Sequence, residues 1–362
     1  MDFRDSPEEA AFRERLRGWL TEQKGRFPTS GDEYWASQGA WHQALYEAGF
    51  FGTSWPKEFG GQELPPVYDV IVDEEIATAG APARPSLGYL VVGLGHHGSK
   101  ELQQRFLPGM INGTERWCQG FSEPGAGSDL ASLTTTATRE GDEYVIHGHK
   151  IWTSYSDVAD LCLVLARTDK SVAKHKGISA FVVSMHQPGV EQRPLKMISG
   201  VTKEFGQVTF DGARVPADQM VGAPGDGWKL AMTVVSHERE PSTVGYSARY
   251  RKLVRELAQR SEGQPSDELL WAAVDAEMLR RHVQRRLSEQ LDGLTHGPDG
   301  SLDKLLMTWV EQSVGHAALA EGGIDDEPLL ATYLYSRAQS VMGGTSQIQK
   351  NIIASRILGL ES

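Results

Sequence analysis

Cysteine, positive charge and long apolar runs are what this sequence has least of. Two cysteines in 362 residues, Cys118 and Cys162, supply neither a disulfide framework nor a metal-binding spacing, which fits a reducing, cytoplasmic compartment. Lys and Arg total 36 against 48 Asp and Glu, for a net charge of -12. That balance argues against a nucleic-acid role carried by a basic surface. No stretch reaches the roughly 18 apolar residues of a membrane span. The opening MDFRDSPEEAAFRERL lacks the apolar centre of a signal peptide. His96 and His97 are adjacent, so on a helix they point different ways and make a poor metal site. What is left, 40% hydrophobic and 23% charged, reads as a folded soluble chain long enough for two or three domains.

Residues 1–115 read as helices. Ser6 and Glu9 have capping-box spacing, with Pro7 suited to the first helical position. Phe12, Leu16, Trp19 and Leu20 then form one apolar stripe. A second helix carries Trp41, Leu45 and Tyr46 and stops at Gly49, and further helices are expected over 67–79 and 100–111. After Gly113 the texture changes. YVIHG, ADLCLVLA, ISAFVVSM and GQVTFDGARV are short β-branched and aromatic runs separated by turn formers, the mark of a β-domain, here over 116–225. From Trp228 helical patterns return, with starts near Ser247, Ser266, Leu302 and Leu329, as expected of a bundle over 226–362.

Two runs stand out from this background, WCQGFSEPGAGSDL (117–130) and KIWTSYS (150–156). Pro124, Gly125 and Gly127 force the backbone to turn, and small side chains let a planar ligand or phosphate approach its N–H groups. Ser122, Ser128 and Ser154 add hydroxyls, and Trp152 a flat apolar face. Composition alone favours a glycine-rich surface loop beside a core tryptophan, since such loops are common.

The words themselves narrow the choice. SEPGAGSD followed by KIWTS resembles the flavin-binding signature of the acyl-CoA dehydrogenase family. Three further runs resemble the family's hallmarks in the right order: EEIATAGAP at 74–82, the pair Glu238–Arg239, and GGTSQIQKNIIASRILGL at 343–360. The resemblance implies an α+β fold, with an N-terminal helical domain, a middle β-barrel domain and a C-terminal helix bundle. It also implies FAD as cofactor, an acyl-CoA substrate and an electron-transfer flavoprotein as electron acceptor. Phe121 and Ser122 are then expected against the flavin ring, with Trp152, Thr153 and Ser154 beside it. Ser128 is expected near the CoA portion, and Thr345 and Gln347 at the FAD phosphates or ribitol. Thr345 also reads as the N-cap of the helix carrying Ile348, Ile352 and Ile353; a capped surface helix is the plain alternative.

Dehydrogenation of an acyl thioester needs a base for the α-proton, and a partly dry carboxylate serves best. Many members of the family carry it just before the Gly-Thr of the C-terminal motif, where this chain has Gly343. A second branch places it before an arginine early in the C-terminal domain. That match makes Glu238 the candidate base and Arg239 an active-site organiser. Glu240 is a rival, but two residues apart on a helix is about 200°, so only one of the two can face the ring. Taken alone, HERE (237–240) reads as a solvated, charged turn of helix; the motif context is what favours the catalytic reading. The Arg-x-x-Phe-Gly and Gln-x-x-Gly-Gly-x-Gly runs that family homotetramers lend to a neighbour's FAD are missing. Here those regions read AQRSEGQPSDE (258–268) and QSVGH (312–316). An α2β2 heterotetramer with a homologous subunit, like actinobacterial enzymes of steroid side-chain degradation, is therefore expected. A non-catalytic structural subunit and an oxidase-like flavoenzyme are the alternatives.

Overall fold

The computed structural model describes residues 4–201, 203–238, 242–294 and 297–360. Five helices come first: α1 (Pro7–Gln23), α2 (Gly31–Glu47), α3 (Val67–Ala79), α4 (Gly88–His97) and α5 (Lys100–Asn112). The capping box forms as read, Glu9 N–H donating to Ser6 Oγ and Ser6 N–H to Glu9 Oε2. Phe12, Leu16 and Leu20 are buried, and Trp19 stacks on Trp41 at 5.5 Å. The carboxylates of the EEIATAGAP run serve as struts: Glu75 accepts from Arg13 at 2.8 Å and from Arg17 at 2.7 Å, both on α1.

Helix α4 had no counterpart in the periodicity, because Gly88, Gly93 and Gly95 each lower helix propensity. Packing reverses the argument. A Cβ on Gly93 would stand 2.5 Å from Val234 Cγ2, so the glycine is what lets α4 meet the next domain's first helix.

The middle region is one mixed sheet of eight strands: β1 (Trp117–Gly120), β2 (Thr136–Glu140), β3 (Glu143–Ser154), β4 (Leu161–Arg167), β5 (Ile178–Ser184), β6 (Val190–Pro194), β7 (Phe205–Pro216) and β8 (Met220–Val221). Their order is β6-β7-β3-β2-β4-β5-β8, with β1 pairing β4 in parallel. The expected barrel is an open one, since β6 and β8 share no ladder among the described residues. Strands β4 and β5 are buried on both faces, as their unbroken apolar runs demand. Leu161, Leu163 and Leu165 pack with α4 and α5, and Cys162, Val164 and Ala166 into the sheet's own core.

The last region holds α6 (Gly227–Glu238), α7 (Ser242–Arg260), α8 (Asp267–Leu291), α9 (Gly300–Gly322), α10 (Glu327–Ser336) and α11 (Ser346–Ile352). Helices α7, α8 and α9 share one apolar core. Helix α6 stands apart and buries Leu230, Ala231 and Val234 against α4 and the sheet. The three regions therefore meet where α4, α5 and α6 pack on β4 and β5.

Candidate active site

The turn after β1 is held from below by a buried ion pair. Glu123 and Ala126 exchange backbone hydrogen bonds at 3.0 and 3.1 Å around Pro124–Gly125. Lys150, fully buried on β3, donates to Phe121 O at 3.0 Å and to Glu123 Oε1 at 2.9 Å. Glu123 also accepts from Thr134 N, Thr134 Oγ1 and Thr135 N at 2.6–2.9 Å. Burial would raise the Glu123 carboxyl, but the Lys150 ammonium and these donors outweigh it and hold it at about 2. Burial lowers Lys150 to about 8 against the pull of Glu123, so the pair is ionised at neutral pH. Ile151 N–H donates to Ser122 O at 3.0 Å and completes the clamp. Phe121 is buried in the core shared with α4 and α5, Ser122 is half-buried and Ser128 is exposed on the loop.

Immediately beyond Lys150 the β3–β7 ladder slips. Lys150 pairs with Val208 and Thr153 with Gly206, so Ile151 and Trp152 together oppose one residue. This bulge puts Trp152 at φ +60°, a region costly for a bulky residue, and turns its ring outward, 55% exposed. Bulges recur where a side chain must be re-aimed at a site. Thr153 stays fully buried, and its Oγ1 has no hydrogen-bond partner. Ser154 is half-buried at the strand's end, next to Tyr155, whose ring lies 5.5 Å from Trp35 of α2.

The C-terminal turn approaches from the bundle. Gly343 and Gly344 have φ of +62° and +92°, so the absence of a side chain at the family's usual base position also serves the backbone. Thr345 Oγ1 accepts from Ile348 N–H at 3.2 Å and is the N-cap of α11. Gln347 is exposed. Gln349 Nε2 donates to the Gly343 and Gly344 carbonyls at 3.1 and 3.4 Å and braces the turn.

Glu238 is the last residue of α6 and is half-buried; Arg239 and Glu240 lie outside the described residues. Tyr89 of α4 has its hydroxyl pKa pushed up by burial, then by Glu238, with Tyr246 of α7 also contributing. Tyr155 is pushed up by burial and by a ring of groups that includes Glu204, Tyr246 and Tyr89. The end of β3 and the end of α6 are thus linked electrostatically through Tyr89 and Tyr246.

Comparison with known proteins agrees with this arrangement across the chain. Residues 6–114, 118–213 and 225–358 match the N-terminal, middle and C-terminal domains of the acyl-CoA dehydrogenase family. The chain belongs to the acyl-CoA dehydrogenase family. It is 38% identical to acyl-CoA dehydrogenase IpdE1 of Mycobacterium tuberculosis, over 96% of this chain and 97% of that one. Among solved structures it is similar to the Tcur3481–Tcur3483 steroid ACAD, with TM-score 0.86 and 26% identity over all of both chains. It is also similar to the ChsE4–ChsE5 complex from Mycobacterium tuberculosis, with TM-score 0.85 and 27% identity, again over all of both chains.

This acyl-CoA dehydrogenase is accordingly an FAD-dependent enzyme, and the residues present fit a flavin. The orphaned Thr153 hydroxyl offers a buried polar contact, Trp152 an open aromatic face, and the Gly343–Gly344 turn a close backbone approach. Sequence reasoning passed over Glu123 and Lys150, although both stand inside the quoted motifs. Their signal was two opposite charges in runs otherwise chosen for small or apolar residues.

Proposed function

We propose that this chain is the catalytic subunit of a heteromeric dehydrogenase that introduces an α,β double bond into a bulky, steroid-like acyl-CoA. Bound FAD supplies the hydride acceptor that no side chain provides. Glu238, half-buried at the end of α6, takes the α-proton onto its carboxylate. Phe121, Ser122, Trp152, Thr153 and Ser154 border the ring, and Thr345 and Gln347 hold the phosphate and ribitol end. Ser128 contacts the CoA portion and Arg239 organises the site. Electrons leave to an electron-transfer flavoprotein. The observation that carries this reading is the β3 bulge, which turns Trp152 outward next to the buried, unpartnered Thr153 hydroxyl, while Glu238 at the end of α6 acts electrostatically on Tyr89.

A homologous partner is supported by the missing FAD-lending runs and by an unpartnered apolar face. Leu270, Trp271, Val274 and Met278 on α8 and Trp309 on α9 are all exposed, the tryptophans at 67% and 64%; such patches on soluble chains mark interfaces. Two similar structures carry the names of two-protein assemblies, one of them described as a steroid enzyme. Native mass spectrometry of the co-expressed complex tests the assembly. A mixed tetramer with two FADs supports it, and a homotetramer with four removes the partner from the proposal. Gly343 favours a second reading, a structural subunit serving an active homologue. Glu238→Gln separates the two: full flavin reduction in that variant supports the structural role.

A further inference from the structure

This inference rests on the reading above, in which Phe121 and Ser122 border the flavin ring. The Lys150–Glu123 pair has no part in the proposed chemistry, yet it sits directly behind that segment. Lys150 is fully buried, and its ammonium donates to Phe121 O at 3.0 Å and to Glu123 Oε1 at 2.9 Å. A Cβ on Gly120 would stand 2.9 Å from Cys162 Sγ and 3.5 Å from Lys150 Cγ, so a glycine just before Phe121 lets the lysine stem lie close under β1. Exchanging a buried ion pair for apolar groups is often neutral for stability. Stability alone therefore gives no reason for a full charge at this point.

Geometry supplies one. In a planar trans peptide the C=O and the following N–H point opposite ways. With Phe121 O turned to Lys150, the Ser122 N–H is aimed away from the ammonium. The next peptide is fixed as well, since Ser122 O accepts from Ile151 N–H at 3.0 Å and Glu123 N–H donates to Ala126 O at 3.0 Å. A carbonyl that accepts from a cation polarises its own peptide, so the N–H on the far side becomes a stronger donor. The Glu123 carboxylate offsets only part of this effect, because Thr134 N, Thr134 Oγ1 and Thr135 N also draw on its charge, at 2.6, 2.7 and 2.9 Å.

We propose that Lys150 is a positioning residue for the redox step: through the Phe121–Ser122 peptide it directs a charge-backed N–H at the flavin and raises the flavin's midpoint potential. Hydride transfer brings two electrons and one negative charge to the acceptor, and a fixed positive dipole facing it favours the reduced side. No bond to Lys150 forms or breaks. The test is a spectroelectrochemical titration of the flavin in the FAD-loaded enzyme. Lys150→Met with Glu123→Gln removes both charges and strands neither. It is expected to make reduction about tenfold less favourable, a midpoint about 30 mV lower for a two-electron couple. Lys150→Gln with Glu123→Gln keeps a neutral donor and is expected to fall between, and it answers the same question should the first variant not fold. Thr134→Val removes one hydrogen bond from Glu123 but leaves the ammonium on Phe121 O, so its midpoint should match the native one. A native midpoint in the charge-free variants overturns the proposal and leaves the pair a structural clamp. An equal fall in Thr134→Val overturns it too, by assigning the effect to loop geometry. Ser122→Ala tests the underlying reading separately, through the visible absorption bands of the flavin. If these stay in place, the segment does not border the ring, and that reading fails with the proposal. If they move while the charge-free variants keep the native midpoint, the proposal alone fails.

Discussion

Lys150 and Arg249 are both cations, and their surroundings are opposite: the first is fully buried and the second exposed. Lys150 is fully buried, with a carboxylate at 2.9 Å and a carbonyl at 3.0 Å; every group it meets is matched inside the chain. Arg249 is exposed beside a cleft, lies over an aromatic ring, and pairs with no acceptor among the described residues. The first arrangement is how a fold fixes geometry: the clamp on residues 121–123 sets where the loop and the Trp152 bulge lie. The second leaves the guanidinium to solvent. The Thr153 hydroxyl differs from both, being fully buried and without a hydrogen-bond partner.

The largest effect expected is chemical. Glu238→Gln removes the proposed base and should slow flavin reduction by about 10²–10⁴-fold in stopped-flow bleaching, while Glu240→Gln stays within a few-fold; the reverse pattern would move the base to Glu240. Next comes the contrast itself. Lys150→Met strands a buried carboxylate and should cost about 3–5 kcal/mol in denaturant unfolding. Arg249→Met breaks no internal pair and should stay within about 0.5 kcal/mol. Equal losses would erase the distinction between the two cations. The pH dependence sharpens it further. The Glu123 carboxyl is held at about 2, below its ordinary 4.5. Its stabilisation is therefore fully present above 4.5 and lost as pH falls towards 2, an amount of up to about 3 kcal/mol. In the double variant Lys150→Met with Glu123→Gln, acid unfolding should show that much less loss over the same range. The smallest effect is at Thr153. Replacing it with Val removes an unpaired hydroxyl at nearly constant shape, so stability should hold or rise while FAD dissociation becomes about 3- to 10-fold easier. Unchanged FAD affinity would mean the orphan does not serve the cofactor.

Much of the fold was readable because its signals are local. The Ser6–Glu9 cap acts across three residues, Thr345 caps α11 in the same way, and the bounds of α3 followed from one apolar stripe. The double-glycine turn could be read because φ near +60° and +90° tells against a side chain whatever surrounds it. The motif residues proposed for the flavin site were visible for the related reason that tight turns and close approach restrict residue type.

Other features depended on distant partners. Glycines spoke against α4 until α6 came within contact of Gly93. The bulge that exposes Trp152 exists only because Thr153 pairs with Gly206 on β7. Charged residues in a strand read as surface, yet β1, β3 and the loop between them enclose Lys150 and Glu123 completely. The cleft beside Arg249 is made by segments far apart, with Tyr335 meeting Glu204 across 131 positions. The sequence by itself determined the turns, caps, stripes and family motifs, because each is decided by the steric and hydrogen-bonding demands of a few neighbouring residues. Only the tertiary structure decided which charges are matched and which are left open, because that depends on what the far parts of the chain bring within 3 Å.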